Sequence, residues 1–233
     1  MKEDHDFNKV MKELKSKARP ENVKGMSRFG IEGEGRLGLS MPELRKMGKS
    51  IGKDHSFALK LWDTKIPDAM ILAALIDDPA KVNEQQTDNW VKDICSWDVC
   101  DQLCMNLFEK LPFATKKISE WSKSEKEFVK RVPYAMIACI AWHDKEASDE
   151  LFTSFFPVIK SGATDDRNYV KKAVSWALRN IGKRNLNLNK EALKLASEIR
   201  DIDLKAARWI ASDVIRELES EAVQKRLKNK KTK

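Results

Sequence analysis

The sequence predicts an all-α protein, an α-solenoid of HEAT-like helix-pair repeats, on three observations. Apolar residues recur at spacings of three and four after Pro42, and no stretch shows sustained alternation with a period of two. Glycine and proline are confined to short breaks between these segments. Segments rich in Ala, Cys and branched aliphatic residues recur with centres about 35 residues apart, a period typical of solenoid repeats.

Each repeat is predicted to contain two helices. The second helices are predicted at residues 69–76, 101–108, 134–142, 170–181 and 206–218. The first four of them follow another amphipathic segment, at residues 56–62, 88–94, 113–121 and 149–159. Small residues in the second helices allow neighbouring helices to approach closely. Together with an amphipathic helix predicted at residues 7–18, these elements predict one continuous domain over residues 1–221.

A glycine-rich loop separates the first helix from the repeats. Its Gly33-x-Gly35-x-x-Gly38 pattern formally matches the dinucleotide-binding fingerprint. No apolar strand precedes the pattern, and Glu32 and Glu34 would repel a pyrophosphate. We therefore interpret the glycines as a sharp turn of the chain and not as a cofactor site.

The net charge of +8 is not spread evenly along the chain. Residues 1–120 contain 20 basic and 20 acidic side chains, whereas residues 222–233 contain six basic and no acidic ones. A basic tail of this kind is usually solvated, and it adds only loose attraction to a polyanion. Residues 222–233 are thus predicted to be a disordered basic tail, and net charge alone does not establish a DNA-binding body.

Cysteine usage and the N-terminal residues favour a cytoplasmic protein with reduced thiols. The first residues are charged and lack the apolar core of a signal peptide. Cys100 and Cys104 are four residues apart, and no C-x-x-C pair accompanies them. The other cysteines and histidines are Cys95, Cys139, His5, His55 and His143. These spacings do not predict a zinc site, and we expect no metal.

Trp97 and Asp101 are the most informative pair in the sequence. In a helix, side chains four residues apart are neighbours on one face. A buried Asp needs a partner, because an unpaired charge away from water is heavily penalised. One interpretation is a half-buried core Trp beside a solvated Asp. The other is the wall of a cleft, in which the indole supplies a flat apolar surface and the carboxylate attracts a cation.

Basic residues follow at two places in the later repeats. Arg131 is predicted at a helix start one repeat after the Trp97/Asp101 pair. One face of the helix at residues 170–181 and its continuation contains Lys172, Trp176, Arg179 and Lys183. Cations interleaved with an indole suit a phosphate backbone beside a sugar or base. A solvated edge beside a core Trp would show the same pattern.

These segments together resemble the AlkD-type DNA alkylation-repair glycosylases of prokaryotes. The resemblance extends over about residues 29–218, and residues 68–70 depart from it, since many relatives have a basic residue there that faces the cleft. The matching stretches are Phe29-Gly30-Ile31, Met41-Pro42-Glu43-Leu44-Arg45, Ser96-Trp97-Asp98-x-x-Asp101, the Arg131 helix start and Ser175-Trp176-Ala177-Leu178-Arg179.

The resemblance implies a C-shaped stack whose concave face holds duplex DNA, with Trp97, Asp101, Trp176 and Arg131 lining the cleft. It implies hydrolytic excision of N3- and N7-alkylated purines without a cofactor. Trp97, Asp101 and Trp176 are the candidate catalytic residues, and Arg131, Lys172, Arg179 and Lys183 the candidate DNA contacts. The expected partner is alkylated double-stranded DNA, no membrane is expected, and a capped solenoid can be monomeric.

Two other functions remain open at this stage. A non-catalytic HEAT-like protein could use the same surface to recognise distorted duplexes. A protein–protein scaffold is a common use of α-solenoids, and fold alone does not exclude it.

Overall fold

The computed structural model describes residues 6–31 and 33–230, and within these residues the chain is helical without strands. It divides into two compact units, Met1–Phe113 and Ala114–Lys233. The single domain over residues 1–221 stays a prediction. Among the described helices, none combines the length and apolarity that a bilayer span requires.

The first unit is built around helix α5, Pro67–Ile76, whose PDAMILAALI sequence is buried along nearly its whole length. Helices α3, α4 and α7 pack against it. Trp62 of α4 stacks on Trp90 of α6 with ring centroids 4.1 Å apart. The helices are α1 (Phe7–Ser16), α2 (Pro20–Ser27), α3 (Met41–Ile51), α4 (His55–Asp63), α5, α6 (Glu84–Asp93) and α7 (Trp97–Asn106), followed by a 3₁₀ turn at Phe108–Lys110.

The second unit has a row of three long helices, α9, α12 and α14, with α12 packed between the other two. Asn180 of α12 donates to the Ala138 carbonyl of α9, and Ser175 donates to Asp213 of α14. Helix α8 packs on α9, and α13 packs on α14. The helices are α8 (Ala114–Trp121), α9 (Glu127–His143), α10 (Asp149–Ser154), α11 (Phe156–Gly162), α12 (Asn168–Gly182), α13 (Leu186–Arg200), α14 (Lys205–Leu218) and α15 (Glu221–Lys230).

The predicted helix pairs are confirmed, with one interruption. Residues 149–159 were expected to form one helix, but the structure ends α10 at Ser154 and starts α11 at Phe156. Pro157 occupies the first turn of α11, where a missing backbone N–H costs nothing. Proline thus starts a new helix here instead of continuing the old one.

The C-terminal segment differs from the disordered tail that its charge predicts, because residues 221–230 form helix α15. Val223 and Leu227, four residues apart, are both buried. The Gln224 side chain donates to Asn189 at 3.1 Å and to the Leu218 carbonyl at 2.7 Å. Two apolar contacts on one face are enough to fold the segment onto the preceding helices. The last three residues lie outside the described part of the chain.

Candidate functional site

Helix α7 presents Trp97 and Asp101 on its partly exposed side. The helix begins at Trp97, and Ser96 is its N-cap residue. Its opposite side is buried in the first unit and consists of Val99, Cys100, Leu103 and Cys104. Trp97 and Asp101 are both half-buried and lie four residues apart on one face. The structure thus brings this predicted pair together.

The first turn of α7 is held by an arginine from the glycine-rich loop. Arg36 donates to both carboxylate oxygens of Asp98, at 2.8 and 3.0 Å, and to the Ser96 hydroxyl at 2.9 Å. The Arg36 side chain is only 2% exposed. A bidentate pair of this kind fixes orientation as well as distance. We call Arg36, Ser96 and Asp98 the α7 clamp.

The same loop also orients the Trp97 ring. The indole N–H donates to the Phe29 carbonyl at 3.0 Å. Four loop glycines, Gly30, Gly33, Gly35 and Gly38, have positive φ angles. At Gly33 a Cβ would lie 2.6 Å from Pro67 and 2.9 Å from the Cys95 sulphur, so only glycine fits there. The fingerprint glycines therefore shape a turn beside Trp97.

Asp68, in the stretch of residues 68–70 that departs from the family pattern, holds the glycine-rich loop. Its carboxylate accepts hydrogen bonds from the backbone N–H groups of Leu37 and Leu39, both at 2.8 Å. Asp68 is 1% exposed. This side chain anchors the glycine-rich loop to α5 and does not face solvent.

Helix α12 carries three of the four residues that the sequence placed on one face, and the fourth, Lys183, is its C-cap residue; we call the four the α12 stripe. Lys172 is exposed, and Trp176 is half-buried. Arg179 and Lys183 both form ion pairs with Glu217 of α14, and the Lys183–Glu217 distance is 2.6 Å. The two cations therefore already have an anionic partner within the second unit.

Glu217 is ionised in this arrangement. Its burial would raise the pKa of the carboxyl, but hydrogen bonds from Lys183 and Arg179 outweigh that effect and hold its pKa below the usual value. The carboxylate thus stays charged near neutral pH and continues to compete for both cations.

Arg131 lies in the second turn of α9 and is buried, whereas the sequence predicted a contact with DNA from a helix start. Its guanidinium donates to the Tyr169 carbonyl at 2.6 Å, and its exposed fraction is 5%. Tyr169 in turn donates its backbone N–H to Glu127 of α9 at 3.1 Å. Arg131 therefore ties α9 to the first turn of α12, which makes it a candidate positioning residue in place of the phosphate contact expected from the sequence.

We expect Arg131→Ala to lower the free energy of unfolding by about 1–3 kcal/mol, because it leaves a carbonyl in a buried site without this donor. The salt dependence of DNA binding should stay as in the wild type. Lys172→Ala is the matched control, because loss of the phosphate contact that the sequence predicts for this exposed lysine should reduce the salt slope by about one. Salt titrations of duplex binding measure both effects. A reduced slope for Arg131→Ala would instead indicate a phosphate contact.

Two features near the predicted residues were missed in the sequence. Arg36 of the α7 clamp contacts Asp98, 62 positions later. Trp209 of α14 is 40% exposed, and the Lys171 ammonium lies 4.9 Å from its ring centroid. Trp209 could have been singled out, because it is the Trp of the helix predicted at residues 206–218. No local pattern indicates the pairing of Arg36 with Asp98.

In the described part of the chain, no three His, Cys, Asp or Glu side chains are arranged to hold a metal ion. The four cysteines are free thiols, and three of them are buried.

Comparison with a solved structure supports the fold. One similar solved structure is described as a new family of proteins related to the HEAT-like repeat DNA glycosylases with affinity for branched DNA structures. It has a TM-score of 0.73 and 21% identity, and the alignment covers 91% of this chain and 95% of that one. At this identity the match confirms the predicted HEAT-like all-α fold.

Two other solved structures match less closely. A designed armadillo repeat protein in complex with a (KR)4 peptide has a TM-score of 0.37 and 14% identity, with coverage of 80% of this chain and 79% of that one. An engineered protein has a TM-score of 0.35 and 15% identity, with coverage of 76% and 90%. No curated protein matches the chain.

The sequence itself matches a known family over residues 10–218, which include both α7 and α12. That family is described as DNA alkylation repair enzyme. The match extends over most of the chain and confirms the resemblance that the motifs suggested. The chain therefore belongs to the DNA alkylation repair enzyme family.

Proposed function

We propose that this protein is a DNA glycosylase that binds duplex DNA and hydrolyses the N-glycosidic bond of N3- and N7-alkylated purines. The observation that carries this proposal is the placement of Trp97 and Asp101 on the partly exposed side of α7, with the helix start held by the α7 clamp. Family membership supplies the class of substrate.

The chemistry of the substrate explains why a Trp and an Asp are sufficient. An N-alkylated purine already carries a positive charge, so it leaves as a neutral base without a general acid. Positive charge develops on the deoxyribose as the bond from C1′ to nitrogen breaks. Asp101 stabilises that charge and orients the water whose oxygen bonds to C1′, and it accepts the proton that the water loses.

The two tryptophans have separate roles in this proposal. Trp97 offers an apolar face beside Asp101, and its N–H is already used by the Phe29 carbonyl. The ring is therefore fixed before DNA binds, and no rotamer has to be ordered during the reaction. Trp176 of the α12 stripe offers a second π-face for a sugar or for the cationic base.

The cations of the α12 stripe contribute unequally to DNA binding in this proposal. Lys172 is exposed and contacts a phosphate directly. Arg179 and Lys183 contact phosphates only in competition with Glu217. Arg131 acts as a positioning residue for α12 through the Tyr169 carbonyl.

The direct test is release of a methylated base. We expect the full chain, incubated with duplex DNA methylated by an alkylating agent, to release free 7-methylguanine and 3-methyladenine above the spontaneous rate. Chromatography of the ethanol-soluble fraction measures both bases. Unmethylated duplex is the control substrate, and release that does not exceed the protein-free reaction would contradict the proposal.

A second candidate is DNA binding without excision. It is favoured by the structural relative, whose family is described as related to the HEAT-like repeat DNA glycosylases with affinity for branched DNA structures. The same incubation separates the two, because this candidate predicts retention of DNA in a gel-shift assay with no released base.

A further inference from the structure

A cavity at the ends of two long helices of the second unit has no role in the proposed glycosylase reaction. It lies where α9 and α12 terminate and where α15 packs, and its volume is about 370 Å³. Pockets of about 300–1,000 Å³ typically hold small ligands. The residues that matter here are Trp142, Lys145, Asp149, Lys183, Arg184 and Arg226.

The lining of this cavity is strongly basic. Four of its residues are cations and Asp149 is its only carboxylate among the described lining residues. The two carboxylate oxygens of Asp149 accept hydrogen bonds from the Asn185 and Asn187 amides, each at 2.7 Å. Lys183 is shared with Glu217, whereas no described carboxylate forms an ion pair with Arg226. An anion that enters the cavity therefore meets a net positive field.

An aromatic wall lies beside these cations. Trp142 at the end of α9 is 54% exposed, so much of its indole ring is accessible to a ligand. The Lys145 ammonium lies 5.7 Å from its ring centroid. An indole next to several cations is the combination that binds unpaired nucleotides, with the base on the ring and the phosphate on the cations.

The floor of the cavity is rigid. Arg184 donates to three carbonyls in the last turn of α9 and in the turn that follows it, those of Ala141, Asp144 and Ala147, at 3.0, 2.6 and 3.0 Å. Its guanidinium also lies 4.1 Å from the centroid of the Phe152 ring. These contacts fix the turn that carries Trp142 and Lys145 before any ligand arrives.

We propose that this cavity binds one unpaired nucleotide of DNA, with its base stacked on Trp142 and its phosphate contacted by Arg226 and Lys183. The proposal rests on the DNA binding described under Proposed function. A base inside a duplex cannot reach an indole face, so the cavity selects DNA with a single-stranded segment. It is a site separate from Trp97 and Asp101, which belong to the first unit.

Fluorescence anisotropy with the full chain tests this site. The probes are a blunt duplex and the same duplex with a single-stranded thymidine tail. We expect the wild type to bind the tailed duplex more tightly than the blunt one. Trp142→Ala should lower the affinity for the tailed duplex about tenfold, in line with the effect of losing one stacked base. Arg226→Ala should lower the same affinity to a similar extent, because a phosphate contact is lost. Binding of the blunt duplex should not change.

Two matched variants separate the pocket from general effects. Trp142→Phe keeps an aromatic face and should retain the preference for the tail. Lys228→Ala removes an exposed cation from the same helix as Arg226 but outside the cavity, and it should behave as the wild type. Thermal melts confirm that each variant is folded.

Several outcomes would overturn the proposal. If the wild type binds tailed and blunt duplexes equally, the nucleotide site in the cavity is contradicted but DNA binding is not. The same holds if Trp142→Ala and Arg226→Ala still prefer the tailed duplex. Absence of binding to either probe would contradict the proposed DNA-binding function, and the pocket with it. The blunt duplex therefore distinguishes the two failures.

Discussion

Replacement of Asp101 by Asn is expected to slow release of 7-methylguanine by about a few hundredfold while DNA affinity is maintained. Asparagine has nearly the same size, so the packing of α7 is preserved while the negative charge is lost. A preorganised charge at the reacting centre contributes about 3–4 kcal/mol, which corresponds to this factor in rate. Single-turnover kinetics on methylated duplex measure the effect without interference from product release.

Asp63→Asn is the matched control for this prediction. It makes the same change at a carboxylate of the first unit whose side chain is 81% exposed. It should leave both rate and affinity unchanged, because bulk charge near water is screened. If Asp101→Asn reacts as fast as the wild type, Asp101 has no part in the reaction. If both variants slow equally, the overall charge of the protein and not a positioned carboxylate would account for the loss.

The second large effect is expected from Arg36→Ala, which should lower the free energy of unfolding by about 3 kcal/mol. Removal of one partner of a buried ion pair leaves the other charge without compensation, and this loss is typically about 3–5 kcal/mol. Asp98 keeps the Ser96 hydroxyl and is 17% exposed, so we expect the lower end of that range. Chemical denaturation followed by circular dichroism measures the change.

A double-mutant cycle tells whether the α7 clamp is responsible. Asp98→Asn alone should also destabilise the protein, but in the Arg36→Ala background it should add little, because its partner is already absent. Arg28→Ala removes an exposed arginine that precedes the glycine-rich loop and should have almost no effect. Additive losses from Arg36→Ala and Asp98→Asn would show that the two side chains stabilise the fold independently.

The repeat architecture could be predicted from the sequence because its signals are local. Apolar spacing of three and four specifies a helical face within one or two turns, and the observed helices α5, α7, α9, α12 and α14 overlap the five predicted second helices. The break between α10 and α11 also has a local signal, Pro157. Its meaning was missed because the apolar pattern continues on both sides of the proline.

The details of the site depend on long-range contacts that no local pattern encodes. Arg36 and Asp98 are far apart in sequence, and Arg131 bonds a carbonyl 38 positions later. The local sequence around an arginine does not indicate whether its side chain is buried or exposed to solvent. The C-terminal helix is a further example. Its basic charges predicted a disordered tail, but Val223 and Leu227 are buried against the rest of the protein.

Glu217 forms ion pairs with Arg179 and Lys183, two of the cations that the sequence predicts as phosphate contacts. A DNA phosphate that binds these two cations has to displace the Glu217 carboxylate, which takes the place of the phosphate in the free protein. Loss of the Glu217 carboxylate would raise the affinity for damaged and undamaged DNA alike. In the proposed mode of DNA binding, Glu217 therefore weakens contact with intact duplex, and lasting contact needs the other interactions that a damaged site adds.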